Sequence, residues 1–186
     1  MAATETIQIP LGFTAPNFKL FDPVSGVHKS LDELKSDKAT VIAFICNHCP
    51  FVKHIIHEFI AIANNFMPKG ISFIAINSND VANYPEDNPE KMKDWATSLN
   101  FPFSYLYDES QNIAMNYSAA CTPDFNIFDG DLKCVYRGRL DGSTPGNNVP
   151  VTGSDFRNAL EAIVNGKEIN KEQFPRLGCG IKWKFQ

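Results

Sequence analysis

Two cysteines spaced by two residues, in Ile45-Cys46-Asn47-His48-Cys49-Pro50, are the strongest concentration of reactive groups in this 186-residue chain. A pair at this spacing can close a disulfide across one turn, so a mixed disulfide on one sulfur can be displaced by the other. The surrounding pattern matters as much as the spacing. Residues Ala39 to Ile45 form a continuous apolar run, as expected of a strand covered on both faces. From about Cys49 to Phe66, Val52, Ile55, Ile56, Phe59, Ile60 and Ala63 recur at helical spacing, with Gly70 as a stop. A thiol at a strand-to-helix turn faces unpaired backbone N–H groups and the positive end of the helix dipole, which lower its pKa. Cys46 is therefore expected to attack and Cys49 to resolve. His48 is expected to add a donor or a positive charge beside Cys46.

Other candidates lie far off in sequence. Cys121-Thr122-Pro123 precedes a strand, and its proline suggests a sheet edge or a cis bond turning the chain. Cys179 stands between two glycines on a mobile tail, where it either serves as a third redox thiol or simply packs. Cys121 is a further auxiliary thiol, and Cys134 reads as core. A different chemistry is also open, because Cys46, His48, Cys49, His54 and His57 cluster in sequence and Cys121 or Cys179 could complete a zinc or copper set. A zinc site of this type needs a second ligand pair of defined spacing, which the sequence lacks. His54 and His57 are more simply placed on a solvated part of the helix. The expectation is no metal and no cofactor.

The elements that must hold these residues alternate. Phe18 to Phe21 reads as a strand in an N-terminal β-hairpin extension, and Ser30-Leu31-Asp32-Glu33 as a capping box. Ile71 to Ile76 is a second buried strand, making a βαβ unit with the cysteine pair at its first turn. Ser78 to Pro89 reads as a polar loop, Asn88-Pro89 as the start of a helix to about Leu99, Ser104 to Tyr107 as a strand, and Ser110 to Tyr117 as a short helix. Phe125 to Phe128 and Cys134 to Arg139 flank the turn Asp129-Gly130-Asp131, and Ser154 to Val164 is a last helix. The plan is a single α/β domain over residues 1–186, three layers with a central mixed sheet flanked by helices, an N-terminal arm (1–14) and a C-terminal tail (168–186).

Composition narrows the partners. A formal charge of -4 with no Lys/Arg stripe argues against nucleic acid, and no apolar run approaches a membrane span. The first residues lack the basic start and apolar core of a secretory signal, and five cysteines with one close pair suit a reducing cytoplasm.

Together, Ala15-Pro16-Asn17-Phe18, the Cys-x-x-Cys, Thr122-Pro123 and the Gly130/Arg137 hairpin resemble the thioredoxin-like superfamily, in particular its peroxiredoxin-like AhpC/TSA branch. The ending Gly178-Cys179-Gly180-Ile181-Lys182-Trp183 with Cys46-Asn47-His48-Cys49-Pro50-Phe51 is similar to a group of uncharacterised thioredoxin-family proteins. The resemblance implies a thioredoxin-like fold and a dithiol at Cys46 and Cys49. It also implies that Pro123 is a cis-proline beside the dithiol, where with Thr122 it aligns the substrate. It further implies a thiol-disulfide oxidoreductase with an antioxidant or redox-homeostasis role, whose partners are a disulfide-containing protein, a small disulfide or a peroxide, and a thiol reductant. A peroxidase reading is the alternative, as is a non-enzymatic metal-binding or redox-sensing one. The peroxidase motif Pro-x-x-x-Thr-x-x-Cys would end on Cys49, but Ile42 replaces its Pro and Cys46 its Thr. Arg137 or Arg139 would be its distant Arg, against the simpler reading of an exposed strand residue.

Overall fold

The computed structural model describes residues 3–184. In chain order its elements are β1 (Ala3–Glu5), β2 (Lys19–Asp22), β3 (Val27–Ser30), α1 (Leu31–Leu34), β4 (Ala39–Phe44), α2 (Pro50–Phe66), β5 (Ile71–Asn77), α3 (Pro89–Ser98), β6 (Ser104–Tyr107), α4 (Asn112–Asn116), β7 (Cys121–Thr122), β8 (Asp124–Asp129), β9 (Cys134–Gly138), α5 (Ser154–Val164) and β10 (Leu177–Gly180). The capping box at Ser30 and Glu33 and the Asn88 cap of α3 form as their residue types dictate. The main sheet runs β3-β2-β6-β5-β4-β8-β9, with β4, β5 and β6 parallel and the outer pairings antiparallel. This is the thioredoxin-like mixed sheet, and β2 with β3 forms the N-terminal hairpin.

Strand β4 is buried along its whole length because both faces are covered. Val41 and Ala43 join one core with α2, α3 and α5, while Ile42 and Phe44 join a second with α1 and α4. Phe59 centres the first core, its ring 5.3–6.3 Å from those of Phe73, Phe103, Phe125 and Phe156. Burying such a side chain contributes about 1.5–3 kcal/mol. That packing fixes α2 on the sheet, and with it the cysteine pair at its first turn.

The chain ends depart from a free arm and a mobile tail. Strands β1, β10 and β7 form a second antiparallel sheet in which Cys179 lies opposite Thr122 and Ala3 opposite Cys179. Gly178 permits this approach, since an added Cβ would strike the Thr122 carbonyl. Beyond the strand, Ile181 donates its N–H to the Ala120 carbonyl and is buried in the second core. Residues 1–2 and 185–186, the outermost parts of the expected arm and tail, lie outside the described residues.

Arg137 is not an exposed strand residue; it is 1% exposed. Its guanidinium donates to the carbonyls of Ile7, Tyr117 and Ser118, to Asn126 and to the Asp124 carboxylate at 3.2 Å. Burial still holds the Asp124 carboxyl up, at about 6, with Arg137 opposing that rise. Replacing Arg137 by Met strands that carboxyl and four other acceptors, so urea denaturation is expected to show a loss of about 3–5 kcal/mol, partly recovered when Asp124→Asn is added. An Arg137→Met chain as stable as the wild type would refute this account of the hairpin's anchor.

Candidate active site

The cysteine pair sits where β4 leaves the sheet, and the next loop along the sheet edge closes over it. Because β4 and β5 are parallel neighbours, the segments following their C-terminal ends lie side by side. The segment after β5 is the polar loop expected, exposed at residues 82–86, but four of its polar side chains, Ser78, Asn79, Asp80 and Asp87, are buried as a wall against the cysteine turn. Asp87 organises it. One carboxylate oxygen accepts the backbone N–H groups of Asn47 and His48, at 2.7 and 3.3 Å. The other accepts from Asn79 and pairs with His48 Nδ1 at 2.5 Å. Asn47 is held further by the Glu86 carbonyl and the Tyr105 hydroxyl.

This arrangement changes the electrostatics that the turn implies. The two amides expected to face a Cys46 thiolate are taken by a carboxylate. Cys46 is also fully buried, and burial first, then the hydrogen bond to Cys49 and the negative Asp87, pushes its thiol well up. His48 Nδ1 lies 3.9 Å from Cys46 Sγ but is committed to Asp87. Cys49 is the thiol driven down, to about 5, chiefly by the hydrogen bond from Cys46, against burial. Contacts from Cys179, Thr122 and the Val52 N–H at the start of α2 add to that fall. The charge therefore rests on Cys49, reversing the expected order.

The peptide bond between Thr122 and Pro123 is cis. Thr122 touches both thiols: its hydroxyl is 3.3 Å from Cys46 Sγ, and its carbonyl lies 3.1 Å from Cys49 Sγ, accepting from that sulfur when it is protonated. Cys179, opposite Thr122 in the strand pair, also reaches Cys49 and is pushed up to about 12, mostly by burial. Cys121 is one strand position off and turns to Thr6, its thiol raised to about 12 by burial. Cys134 is core, as expected.

Arg137 spends its donors on the hairpin, and none of its hydrogen bonds reaches a cysteine. Arg139 pairs with Asp155. A second buried guanidinium, that of Arg176 (1% exposed), acts by its charge on Cys121 and feels the charges of Cys121 and Cys49. Its Nη1 donates to the Ser143 carbonyl, while Nε and Nη2 are buried without a partner among the described residues.

The sequence-clustered metal set does not assemble as proposed. His54 hydrogen-bonds Ser143, tying α2 to the loop before α5, and His57 is exposed. Cys46 and His48 instead meet Asp87, with donor atoms within 4.8 Å of one another. Each Asp87 oxygen already accepts two hydrogen bonds, so this is a closed hydrogen-bond network.

Sequence reasoning passed over Asp87, Asn79, Tyr105 and Arg176. For Asp87 and Asn79 a signal existed, because the loop after β5 must border the loop after β4. Arg176 had none, since its position depends on where the tail docks.

The comparisons agree with this fold. The AhpC/TSA family model matches residues 11–137. No curated protein matches the chain. The crystal structure of an uncharacterized conserved protein from Geobacillus kaustophilus is 57% identical, covers 100% of this chain and 98% of its own, and superposes with a TM-score of 0.98. A hypothetical protein from Sinorhizobium meliloti is 39% identical over 98% of this chain and 100% of its own, TM-score 0.95. The thioredoxin domain of a thiol-disulfide oxidoreductase from Bacteroides vulgatus, 18% identical, covers 70% of this chain and 89% of its own with a TM-score of 0.58, a likeness of fold alone.

The charge assignment is open to titration by thiolate ultraviolet absorbance. The reduced protein is expected to gain one thiolate as pH rises through about 5, and Cys49→Ser to lose that step. Cys46→Ala, which removes the main stabilising donor, should move it upward by roughly one unit or more, each unit being about 1.4 kcal/mol. If the low step survives in Cys49→Ser, the charge lies elsewhere.

Proposed function

The chain belongs to the AhpC/TSA family, and from that premise we propose that it is a thiol-disulfide oxidoreductase in which Cys49 attacks and Cys46 completes the redox pair. The observation that carries this reading is that both buried sulfurs meet one residue, Thr122, whose hydroxyl lies 3.3 Å from Cys46 Sγ and whose carbonyl lies 3.1 Å from Cys49 Sγ, with Cys46 the strongest influence lowering the Cys49 thiol. A sulfur that already takes a proton's partial charge from its neighbour is poised both as nucleophile and for closure to that neighbour.

The cycle follows. The Cys49 thiolate attacks one sulfur of a disulfide substrate, the substrate S–S bond breaks, and one substrate thiolate leaves. Cys46 then attacks the Cys49 sulfur, forming the Cys46–Cys49 disulfide and releasing the second substrate thiol. The substrate has gained two electrons and the protein has lost two. A thiol reductant returns them by the reverse exchange. Thr122 steers the approach, because its carbonyl and hydroxyl line the same sulfurs the substrate must reach. Pro123 fixes that loop, and His48, held by Asp87, keeps the Cys46 side of the turn in place. Both sulfurs have no exposed surface, so entry needs a displacement of the residues over them. Tyr84, stacked on the His48 ring, is the exposed outer piece of that cover. We place the reaction in a reducing cytoplasm, where a thiol reductant is at hand.

One observation favours a second reading. The low-pKa thiol, Cys49, stands where the family's peroxide-attacking cysteine would align. As a peroxidase, Cys49 would take one oxygen from a peroxide to become a sulfenic acid, releasing water or an alcohol. Cys46 would then condense with it to the same disulfide, releasing water. Against this, Arg137 has no free donor for a peroxide, and Ile42 and Cys46 occupy two motif positions.

Equilibration in thiol redox buffers followed by alkylation and mass mapping tests the first reading. A reversible Cys46–Cys49 bond is expected, with a potential inside the range of about -270 to -120 mV spanned by dithiol oxidoreductases. Cys49→Ser should abolish disulfide reduction. A pair that never closes at any potential overturns the proposal, and peroxide consumption that is rapid, reductant-dependent and lost in Cys49→Ser would move the second reading ahead.

A further inference from the structure

The fold places a third sulfur against the reactive one. In the antiparallel pairing of β10 with β7, Cys179 lies directly opposite Thr122, and residues opposite each other in a ladder project to the same face. That face carries the Thr122 hydroxyl, which meets Cys46. Helix α2 packs on β10, and Cys46, Cys49 and Cys179 belong to one buried cluster. The backbone of Val52 lowers the Cys49 thiol and that of Phe51 lowers the Cys179 thiol, so both sulfurs face the first turn of α2. Cys49 thus has two sulfur neighbours, Cys46 on its own turn and Cys179 on the tail strand. Cys121 is excluded from this group, since alternation along β7 directs it to Thr6.

We propose that Cys179 is a second resolving thiol for Cys49, so that the oxidised protein has two alternative intramolecular disulfides, Cys46–Cys49 and Cys49–Cys179. The inference rests on the reading of Cys49 as the attacking thiol. In the alternative branch, Cys179 attacks the Cys49 sulfur of a Cys49–substrate mixed disulfide. The Cys49–substrate bond breaks, the Cys49–Cys179 bond forms, and the departing substrate thiolate takes the proton that Cys179 gives up. The electron count is that of the first branch, two gained by the substrate and two lost by the protein. The structural result differs. A Cys46–Cys49 bond stays within one turn, whereas a Cys49–Cys179 bond staples the start of α2 to β10, the strand that also holds the N-terminal β1.

Oxidised glutathione is the probe, with disulfides mapped by mass spectrometry after acid quenching and alkylation. Cys46→Ser is expected to take glutathione on Cys49 and convert to a Cys49–Cys179 disulfide. Cys46→Ser with Cys179→Ala is expected to hold the glutathione on Cys49. Persistent glutathione on Cys49 of Cys46→Ser, with Cys179 free, overturns the proposal while leaving the attacking role of Cys49 intact. Failure of the double variant to take glutathione at all shows instead that Cys49 is not the attacking thiol, and the relay falls with it. The wild-type chain provides a reading independent of how the variants fold. Under limiting oxidant it should yield a minor Cys49–Cys179 peptide, and its complete absence at every oxidant level counts against the second branch.

Discussion

The buried Asp87 carboxylate is the constraint on which the site depends. A carboxylate with no exposed surface must have its oxygens satisfied, and here four donors do so: two backbone amides of the turn between the cysteines, the Asn79 side chain and His48. Three consequences come from one group. The turn is pinned in shape, the histidine is drawn to the acid rather than left free for the thiol, and a negative charge stands beside Cys46. An anion already placed at the strand-to-helix turn leaves Cys46 no advantage as a thiolate, so the charge moves along the pair to Cys49, which has the helix amide of Val52.

The second determinant is the way the chain ends are used. The wall after β5 is not held by the main sheet alone. The Lys182 N–H donates to Asn79, the Asp80 N–H donates to the Lys182 carbonyl, and Gln111 bridges Ser78 to the same tail carbonyl. The tail therefore supports Asn79, and Asn79 supports Asp87. The same segment brings Cys179 and Arg176 toward the cysteines. A site that looks confined to six residues in sequence is assembled from four distant stretches, around positions 46, 87, 122 and 179.

These two features account for the low pKa and the burial together. Desolvation alone would raise both thiols, as it does at Cys121 and Cys134. Only a sulfur with several donors around it escapes, and Cys49 is where the helix start, Cys46, Cys179 and the Thr122 loop converge. The missing exposure of both sulfurs ties any reaction to movement of the residues that cover them, His48 and Tyr84 among them.

Much of the fold could be read from local pattern. The unbroken apolar run of β4, the helical spacing of α2, the Ser30–Glu33 box, the Asn88-Pro89 start and the strand Ser104–Tyr107 are dictated by propensity and periodicity, which act over a few residues. Cys46 and Cys49 were visible for the same reason, since both the motif and the turn that holds it are local. What the sequence could not decide was which thiol carries the charge, because that depends on Asp87, forty residues on. Nor could it show that the tail is a strand: Leu177-Gly178-Cys179-Gly180 has little intrinsic strand preference, and only its partners β1 and β7 order it. Arg137 followed the same rule, its burial set by a carboxylate and carbonyls that the hairpin brings together. Periodicity places elements through contacts close in sequence, whereas a pKa, an ion pair or a neighbouring sulfur is set by groups that meet only once the chain has folded.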